Sequence, residues 1–314
     1  RIKCHEYGLS FIPKTNQLNS ILSSNQSTRE FIQSFLIVVS MNNSKNRNSE
    51  DKFGYKIGKK IGDGTFSKVK LAYSYEHKMT VALKIIHKSR ASSRFNNYYL
   101  PREIEVVKYL RHPNIINYIQ CIETDKRVYI AMEYANNGTL LNLIADVNVL
   151  SEKDAQFYFR QLVSAMIFCH SRCIAHRDLK LENLLLTNTH CLKVSDFSFA
   201  RFYNGQKPLS QTFCGSNAYI CPEILKQIPY HPLLADVWSS GVILFALVTG
   251  CLPFNDTESV AQLIKLTDKG VMFPHQTNIS RDCERLIFKL LTPELMRISM
   301  STVGEDLWMC KNFE

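Results

Sequence analysis

From Tyr55 onward the chain alternates apolar and polar positions. The stretch "YKIGKKIGDGTFSKVKLAYSYEHKMTVALKII" is also dense in β-branched and aromatic residues, which predicts three strands with turns at Gly62–Gly64 and Glu76–Lys78. In "REIEVVKYLRH" the spacing of Ile104, Val107 and Leu110 puts them on one helix face, and "VYIAMEY" reads as a further strand. Helical periodicity takes over from Leu140. There, "SEKDAQFYFRQLVSAMIFCHS" opens with Ser151 as an N-cap and Asp154 at the third helical position. Strands first and helices second predict an α+β domain of two lobes with a cleft between them. The β-rich lobe is expected over 55–134, a larger helical lobe over 139–308, and a short tail at 309–314. Residues 1–50 are different. They are rich in Ser and Asn, have few periodic apolar positions, and run into "MNNSKNRNSEDK", so they read as a disordered extension. The chain starts at Arg1, and Met41 is the expected natural start.

Composition narrows the class. With 45% hydrophobic residues in a chain of 314, there is enough apolar surface for a core. The longest apolar runs, FLIVV (35–39) and GVILFALV (241–248), fall well short of the roughly 20 residues a spanning helix needs, so no membrane partner is expected. Ten cysteines, with no leader segment and no C-x-x-C pair, point to a reduced compartment and a cytoplasmic location. Cys169 and Cys173 flank His170, but no second ligand pair appears, so buried thiols on a helix are preferred to a metal site. The net charge of +10 comes from basic residues spread along the chain, without a dense run or a base-stacking motif. Nucleic acid is therefore not an expected partner, whereas a pocket for nucleotide phosphates draws on the same positive charge.

Three stretches carry candidate chemistry. Gly62-Asp63-Gly64-Thr65-Phe66-Ser67-Lys68-Val69 can bring backbone N–H groups close to phosphate, although Ser67 replaces a third glycine. Taken alone it is equally an ordinary hairpin turn. A dinucleotide-binding turn is excluded, because the stretch leads into a strand and not a helix. In Val81-Ala82-Leu83-Lys84 a lone inward lysine is costly unless an anion meets it, and Glu103 on the following helix could hold it toward a nucleotide. The third stretch, "HRDLKLEN" (176–183) followed by Asp196, is the most specific. Asp178, Asn183 and Asp196 supply oxygen ligands suited to Mg²⁺ and a base for a hydroxyl, and Lys180 adds a cation for a transferring phosphate.

This set resembles a eukaryotic protein kinase over about Tyr55 to Trp308. Cys221-Pro222-Glu223 stands where the family has Ala-Pro-Glu, and Arg297 is placed like the arginine that pairs with that glutamate. "DVWSSGVILFALVTGCLPF" resembles the buried central helix of the large lobe, with Asp236 bracing the catalytic loop. "TFCGSNAYICPEIL" and "LPREIEVVKYLRHPNII" are similar to the calmodulin-dependent-kinase-like group, and together with "DFSFA" they look most like the testis-specific serine/threonine kinases.

The resemblance implies the two-lobed kinase fold and a serine/threonine protein kinase that moves the γ-phosphate of ATP to protein hydroxyls, with Mg²⁺ as cofactor. Ile61, Gly62, Gly64 and Val69 would cover the nucleotide, and Val69, Ala82 and Leu185 would sandwich the adenine. Met132 would guard the back of that pocket, and the backbone of Glu133 to Ala135 would bond the base. Lys84, held by Glu103, would steady the α- and β-phosphates. Asp178 would accept the substrate's hydroxyl proton, Lys180 would meet the transferring phosphate, and Asn183 and Asp196 would hold Mg²⁺. Ser216 matches the hydroxyl that bonds the catalytic Asp and Lys, and Glu182 could supply part of the recognition of a basic substrate. Arg177 beside Asp178 implies control by an activation-segment phosphate, at Thr212 first and Ser210 second, delivered by an upstream kinase. A monomer acting on protein substrates is expected.

One departure stands in "SDFSFA" (195–200), where Ser198 replaces the family's glycine. Glycine reaches backbone dihedrals that serine enters only at a cost, so the expectation is an active enzyme whose Asp196-Phe197 segment swings outward less easily. Serine can also bring a hydroxyl near Asp196. Two other classes are weaker. A silent scaffold would have lost Lys84, Asp178 or Asp196, and a small-molecule kinase would not need the peptide platform that "CGSNAY" and Cys221-Pro222-Glu223 resemble.

Overall fold

The computed structural model describes residues 51–64, 66–203, 209–254, 259–275 and 277–312. The expected disorder of residues 1–50 lies outside these, as does Thr65 of the glycine-rich stretch. The described residues cluster into two compact units. Those up to Lys59 with Ala72–Met79 form one, and Lys60–Leu71 with the chain from Thr80 onward form the other.

In the first unit, strand β1 (Asp51–Lys52) pairs antiparallel with the start of β2 (Tyr55–Asp63), Lys52 opposite Tyr55. Its two-residue connection has both Phe53 (φ 52°) and Gly54 (φ 83°) in the left-handed region, the geometry that matches hairpin twist. The end of β3 (Ser67–Ser74) reverses through residues 75–78 toward β4 (Met79–His87), where the sequence predicts a turn, and Ser74 Oγ meets His77 Nδ1 at 3.1 Å.

In the second unit, β5 (Tyr118–Glu123) and β6 (Arg127–Glu133) complete a sheet ordered β2-β3-β4-β6-β5, with β4 and β5 both antiparallel to β6. The first predicted turn falls later than expected. β2 continues through Asp63, and the reversal is closed by Gly64 and Ser67, each donating its N–H to the other's carbonyl at 2.9 and 3.3 Å. A Cβ at Gly64 would stand 2.6 Å from Ser67 Oγ, a hydroxyl that would have to rotate away to admit it. In β4, Val81, Ala82, Leu83, Ile85 and Ile86 are all buried, so both faces are covered and Lys84 stands among them opposite Ile130.

Helix α1 (Leu100–Tyr109) packs Ile104 and Val107 against the core as predicted, but its most buried positions lie beside them. Its buried positions are Leu100, Glu103 and Val106, while Ile104 and Val107 are only partly buried, and Leu110 is buried just beyond its end. The inward stripe is shifted because the Glu103 carboxylate, an acid that periodicity counts as a surface residue, is held inside by Lys84.

The helical part follows with α2 (Leu140–Val147) and α3 (Glu152–Ser171). Ser151 caps α3 by accepting the Asp154 N–H at 3.1 Å, as predicted, and Thr139 forms a capping box with Asn142 on α2. Short strands β7 (Ile174–Ala175), β8 (Leu184–Leu186), β9 (Leu192–Val194) and β10 (Arg201–Phe202) make two ribbons, β7 with β10 and β8 with β9. Then come α4 (Pro222–Leu225), α5 (Pro232–Thr249), α6 (Val260–Lys269), α7 (Arg281–Leu290), α8 (Met300–Gly304) and α9 (Leu307–Cys310). Among the described residues α5 is the one helix long and apolar enough to cross a membrane, but 78% of it is buried inside the domain, where it forms the core of the helical lobe. Gly241 lets α5 approach α7, since a Cβ there would lie 2.7 Å from Leu290 Cβ. The architecture is therefore α+β, a sheet-rich lobe followed by a helical one, as the order of elements predicts.

Candidate active site

The loop between β7 and β8 is held from beneath. Asp236 of α5 is fully buried and accepts the backbone N–H of His176 at 2.9 Å on Oδ2 and that of Arg177 at 2.8 Å on Oδ1. His170 Nε2 lies 3.0 Å from the same Oδ2. Fixing the loop backbone in this way aims the following side chains. Asp178 Oδ1 accepts from Ser216 Oγ at 3.2 Å, and its Oδ2 faces Lys180 Nζ at 3.1 Å and Asn183 Nδ2 at 3.3 Å. Lys180 Nζ donates in turn to Ser216 Oγ at 2.9 Å, the link that the resemblance implies. Asn183 Nδ2 also donates to the Asp178 carbonyl at 2.9 Å.

The Asn183 carbonyl joins this loop to the Asp196 segment, because it accepts from both the N–H and the Oγ of Ser195 at 2.9 Å. Phe197 is buried, with its ring 4.7 Å from that of His176. Lys84 Nζ reaches the same place from β4. It donates to Glu103 Oε1 at 2.6 Å, to Asp196 Oδ1 at 3.2 Å and to Ser198 Oγ at 3.1 Å. Burial opposes the Lys84 charge, but the Glu103 and Asp196 carboxylates outweigh it and hold its pKa above the ordinary lysine range. At Asp196, burial works upward, yet the Lys84 ammonium and the hydrogen bonds from Ser198 and Lys84 hold its carboxyl down at about 2.

The structure adds a side-chain contact to the backbone argument about Ser198. The left-handed residue is Asp196 (φ 60°), a type that tolerates that region, whereas Ser198 lies within the 3₁₀ turn Phe197–Phe199 without a positive φ. Serine is used here through its side chain, which donates to Asp196 Oδ1 while accepting from Lys84. The sequence hints at a nearby hydroxyl; it does not show a bridge.

Two oxygens remain open. With its nitrogen committed to Asp178, Asn183 has an Oδ1 that accepts no hydrogen bond among the described residues, and Asp196 Oδ2 accepts none either. A carboxylate and an amide oxygen left free of donors fit a hard cation such as Mg²⁺. Of the expected adenine-facing positions, Ala82 lies opposite Met132 in the sheet, Leu185 bridges Thr139, and the Cβ position of Gly62 is 3.6 Å from Val69 Cβ. Ile61 is 39% exposed, and Val69, Met132 and Leu185 are only partly buried, which leaves apolar surface for a flat ring. The expected backbone contacts divide. The Glu133 N–H is already donated to the Asn117 carbonyl at 2.8 Å, while the N–H and C=O of Ala135 make no hydrogen bond among the described residues.

In the activation segment, Thr212 donates its N–H to Ser210 Oγ at 3.3 Å, and its carbonyl accepts from the Tyr230 hydroxyl at 2.9 Å. Arg177 donates through Nε to the Phe199 carbonyl at 2.8 Å, but its buried Nη1 has no partner among the described residues. Arg177, Arg201, Tyr203 and Ser210 line a cavity of about 20 Å³; Thr212 is not part of that lining. Below the segment, Arg297 Nη2 donates to both oxygens of Glu223, at 3.1 and 3.0 Å, as the resemblance implies. Cys221 is buried, and burial pushes its thiol well up, so it packs as a small apolar residue. Glu182 is exposed. Among the described residues no group of three His, Cys, Asp or Glu side chains is placed to hold a metal, and Cys169 is fully buried in α3.

A family model described as "Protein kinase domain" matches residues 55–309. Testis-specific serine/threonine-protein kinase 4 of Homo sapiens is 43% identical over 276 residues, covering 83% of this chain and 84% of that protein. Testis-specific serine/threonine-protein kinase 3 of Mus musculus is 42% identical over 259 residues, 82% of this chain and 96% of the relative. CBL-interacting protein kinase 3 of Oryza sativa subsp. japonica is 39% identical over 263 residues, 83% and 59% respectively.

Proposed function

The chain belongs to the protein kinase family and is a serine/threonine protein kinase that uses ATP, and from that premise we propose how its residues divide the reaction. Asp178 orients the acceptor hydroxyl and takes its proton as the new P–O bond forms. Lys180, bound to both Asp178 and Ser216, meets the transferring phosphoryl group from the same side. Lys84, anchored by Glu103, steadies the α- and β-phosphates. Asn183 Oδ1 and Asp196 Oδ2 are the oxygens that would hold Mg²⁺, which when bound neutralises charge on the triphosphate. Val69, Ala82 and Leu185 sandwich the adenine, with Met132 behind it. The base bonds to Ala135 and the Glu133 carbonyl, since the Glu133 N–H is taken.

One observation carries this reading. Lys84, Asp196, Asn183 and Asp178 arrive from three separate stretches of sequence and are joined by hydrogen bonds running through Ser195 and Asn183. A silent scaffold is disfavoured because every one of these groups is in place. The test is phosphate transfer from ATP to a basic protein, native chain against Asp178→Asn. Equal transfer by the two would end the reading.

Regulation follows from the orphaned Arg177 Nη1. Phosphorylation of Thr212 by an upstream kinase would supply an oxyanion for Arg177 and Arg201. Ser210 already lines the cavity, whereas Thr212 does not, so the segment would have to shift to bring a phosphate on Thr212 into it. Replacing Thr212 with Ala should abolish the activation that follows treatment with an upstream kinase, and Ser210→Ala serves as the comparison. Activation undiminished in Thr212→Ala removes Thr212 from this role. The reading extends to a monomer in the cytoplasm acting on protein substrates, supported by the nine cysteines among the described residues, all of them free thiols.

A further inference from the structure

We infer that Ser198 is a positioning residue of this kinase, whose hydroxyl ties the Lys84 ammonium to the Asp196 carboxylate and so holds the Asp196-Phe197 segment inward. The inference rests on the kinase reading of the site.

The geometry is a closed ring of three side chains. Lys84 Nζ donates to Asp196 Oδ1 at 3.2 Å and to Ser198 Oγ at 3.1 Å, and Ser198 Oγ donates to the same Asp196 Oδ1. A hydroxyl can accept and donate at once, which neither glycine nor alanine can do at this position. Each bond in the ring has a charged partner, which makes it stronger than a neutral hydrogen bond. The ring also distinguishes the two oxygens of Asp196. Oδ1 receives two protein donors, and Oδ2 is the one left for a ligand.

The segment is thus fixed at two points. Phe197 is held by burial against His176, and Asp196 is held by Ser198 and Lys84. Between them Asp196 keeps a left-handed backbone (φ 60°), a conformation that persists where its surroundings enforce it. For the segment to swing outward, the Phe197 contact and both bonds to Oδ1 must break together. Ser198 has no positive φ in this conformation, so the inward state itself does not call for a glycine there, and the hydroxyl is the restraint that the geometry shows.

The two explanations separate in full-length Ser198→Ala, Ser198→Gly and Ser198→Thr variants. Alanine removes the hydroxyl and keeps the backbone restraint, glycine removes both, and threonine keeps the hydroxyl. Two readouts do not depend on turnover. One is the affinity for inhibitors that bind only when Phe197 is displaced outward, and the other is hydrogen exchange of the amides of residues 196–199. Loss of a hydrogen bond to a charged group predicts about tenfold tighter inhibitor binding and about tenfold faster exchange in both Ala and Gly, with Thr close to native. An inhibitor that leaves Phe197 in place should bind all four proteins alike, which confirms intact sites. A native-like alanine variant beside an altered glycine variant would overturn the inference in favour of backbone restraint, and three native-like variants would overturn it outright. In either case the native chain still transfers phosphate and Asp178→Asn does not. Absence of transfer by the native chain would instead remove the kinase reading itself.

Discussion

Two carboxylates of this chain are treated in opposite ways. Asp236 is fully buried and both of its oxygens are occupied, by two backbone N–H groups and a histidine nitrogen. Asp196 has one oxygen bound to Lys84 and Ser198 and the other free of donors among the described residues. Glu223 belongs with Asp236, since Arg297 and the Glu294 N–H engage both of its oxygens. A charge that holds the frame is saturated by the protein, because an unpaired buried charge is strongly unfavourable. Asp196 keeps one oxygen that accepts no donor among the described residues, on a side chain 42% exposed. Saturation alone does not mark a frame charge, because both oxygens of Asp178 are engaged too, but by the side chains of Ser216, Lys180 and Asn183 in the site and not by backbone groups or a buried guanidinium.

The largest effect expected is on the ligand-facing side. Asp178→Asn should lower phosphate transfer by roughly 10²–10⁴-fold, the usual worth of a general base, with little change in the thermal midpoint. A midpoint that falls together with activity would move Asp178 into the structural group. The frame should show the reverse. Arg297→Met leaves Glu223 buried and unpaired, at a cost of about 3–5 kcal/mol. At roughly 2–4 °C per kcal/mol for a domain of this size, the midpoint should drop by about 6–20 °C in a thermal melt. A drop below about 2 °C would mean that water reaches Glu223 and that it is not a frame charge.

The smallest effect concerns pH. Because the carboxyl of Asp196 is lowered to about 2, the group contributes stability that is complete above its unfolded value of about 4 and fades as pH falls toward 2. The stability gap between the native chain and Asp196→Asn should therefore narrow over that window in urea titrations. Since this carboxylate is partly open to solvent, the change should stay below about 1 kcal/mol. A gap that does not vary between pH 4 and 2 would show that Lys84 and Ser198 do not hold the carboxylate in solution.

The sequence is most readable where chemistry is packed into a short run. Asp178, Lys180 and Asn183 share one loop, and their residue types and spacing already specify a base, a cation and an oxygen ligand. The pairing of Lys84 with Glu103 follows from the cost of an unmatched inward lysine beside a helix that carries an acid, whereas that of Glu223 with Arg297 is accessible through resemblance alone, since nothing local connects residues so far apart along the chain. Periodicity finds only part of the inner face of α1, because it counts apolar residues and cannot see Glu103, a buried acid neutralised by a partner. The turn at Gly64 and Ser67 was displaced because β-pairing carried β2 past the first glycine. Ser198 shows a different limit. Its φ and the direction of its hydroxyl depend on a 3₁₀ turn and on an ammonium arriving from β4, and neither is encoded within "SDFSFA". For the same reason, only the fold reveals that the Glu133 N–H is occupied and Ala135 is not.

Arg177 bends its backbone into the left-handed region (φ 66°) and keeps Nη1 buried without an acceptor. In landscape language the resting polypeptide is locally frustrated at that point, its minimum raised by a donor with nothing to bond. A phosphate at the proposed Thr212 site would meet a donor whose loss of water was already met during folding, so its bond to the guanidinium would form without first breaking another.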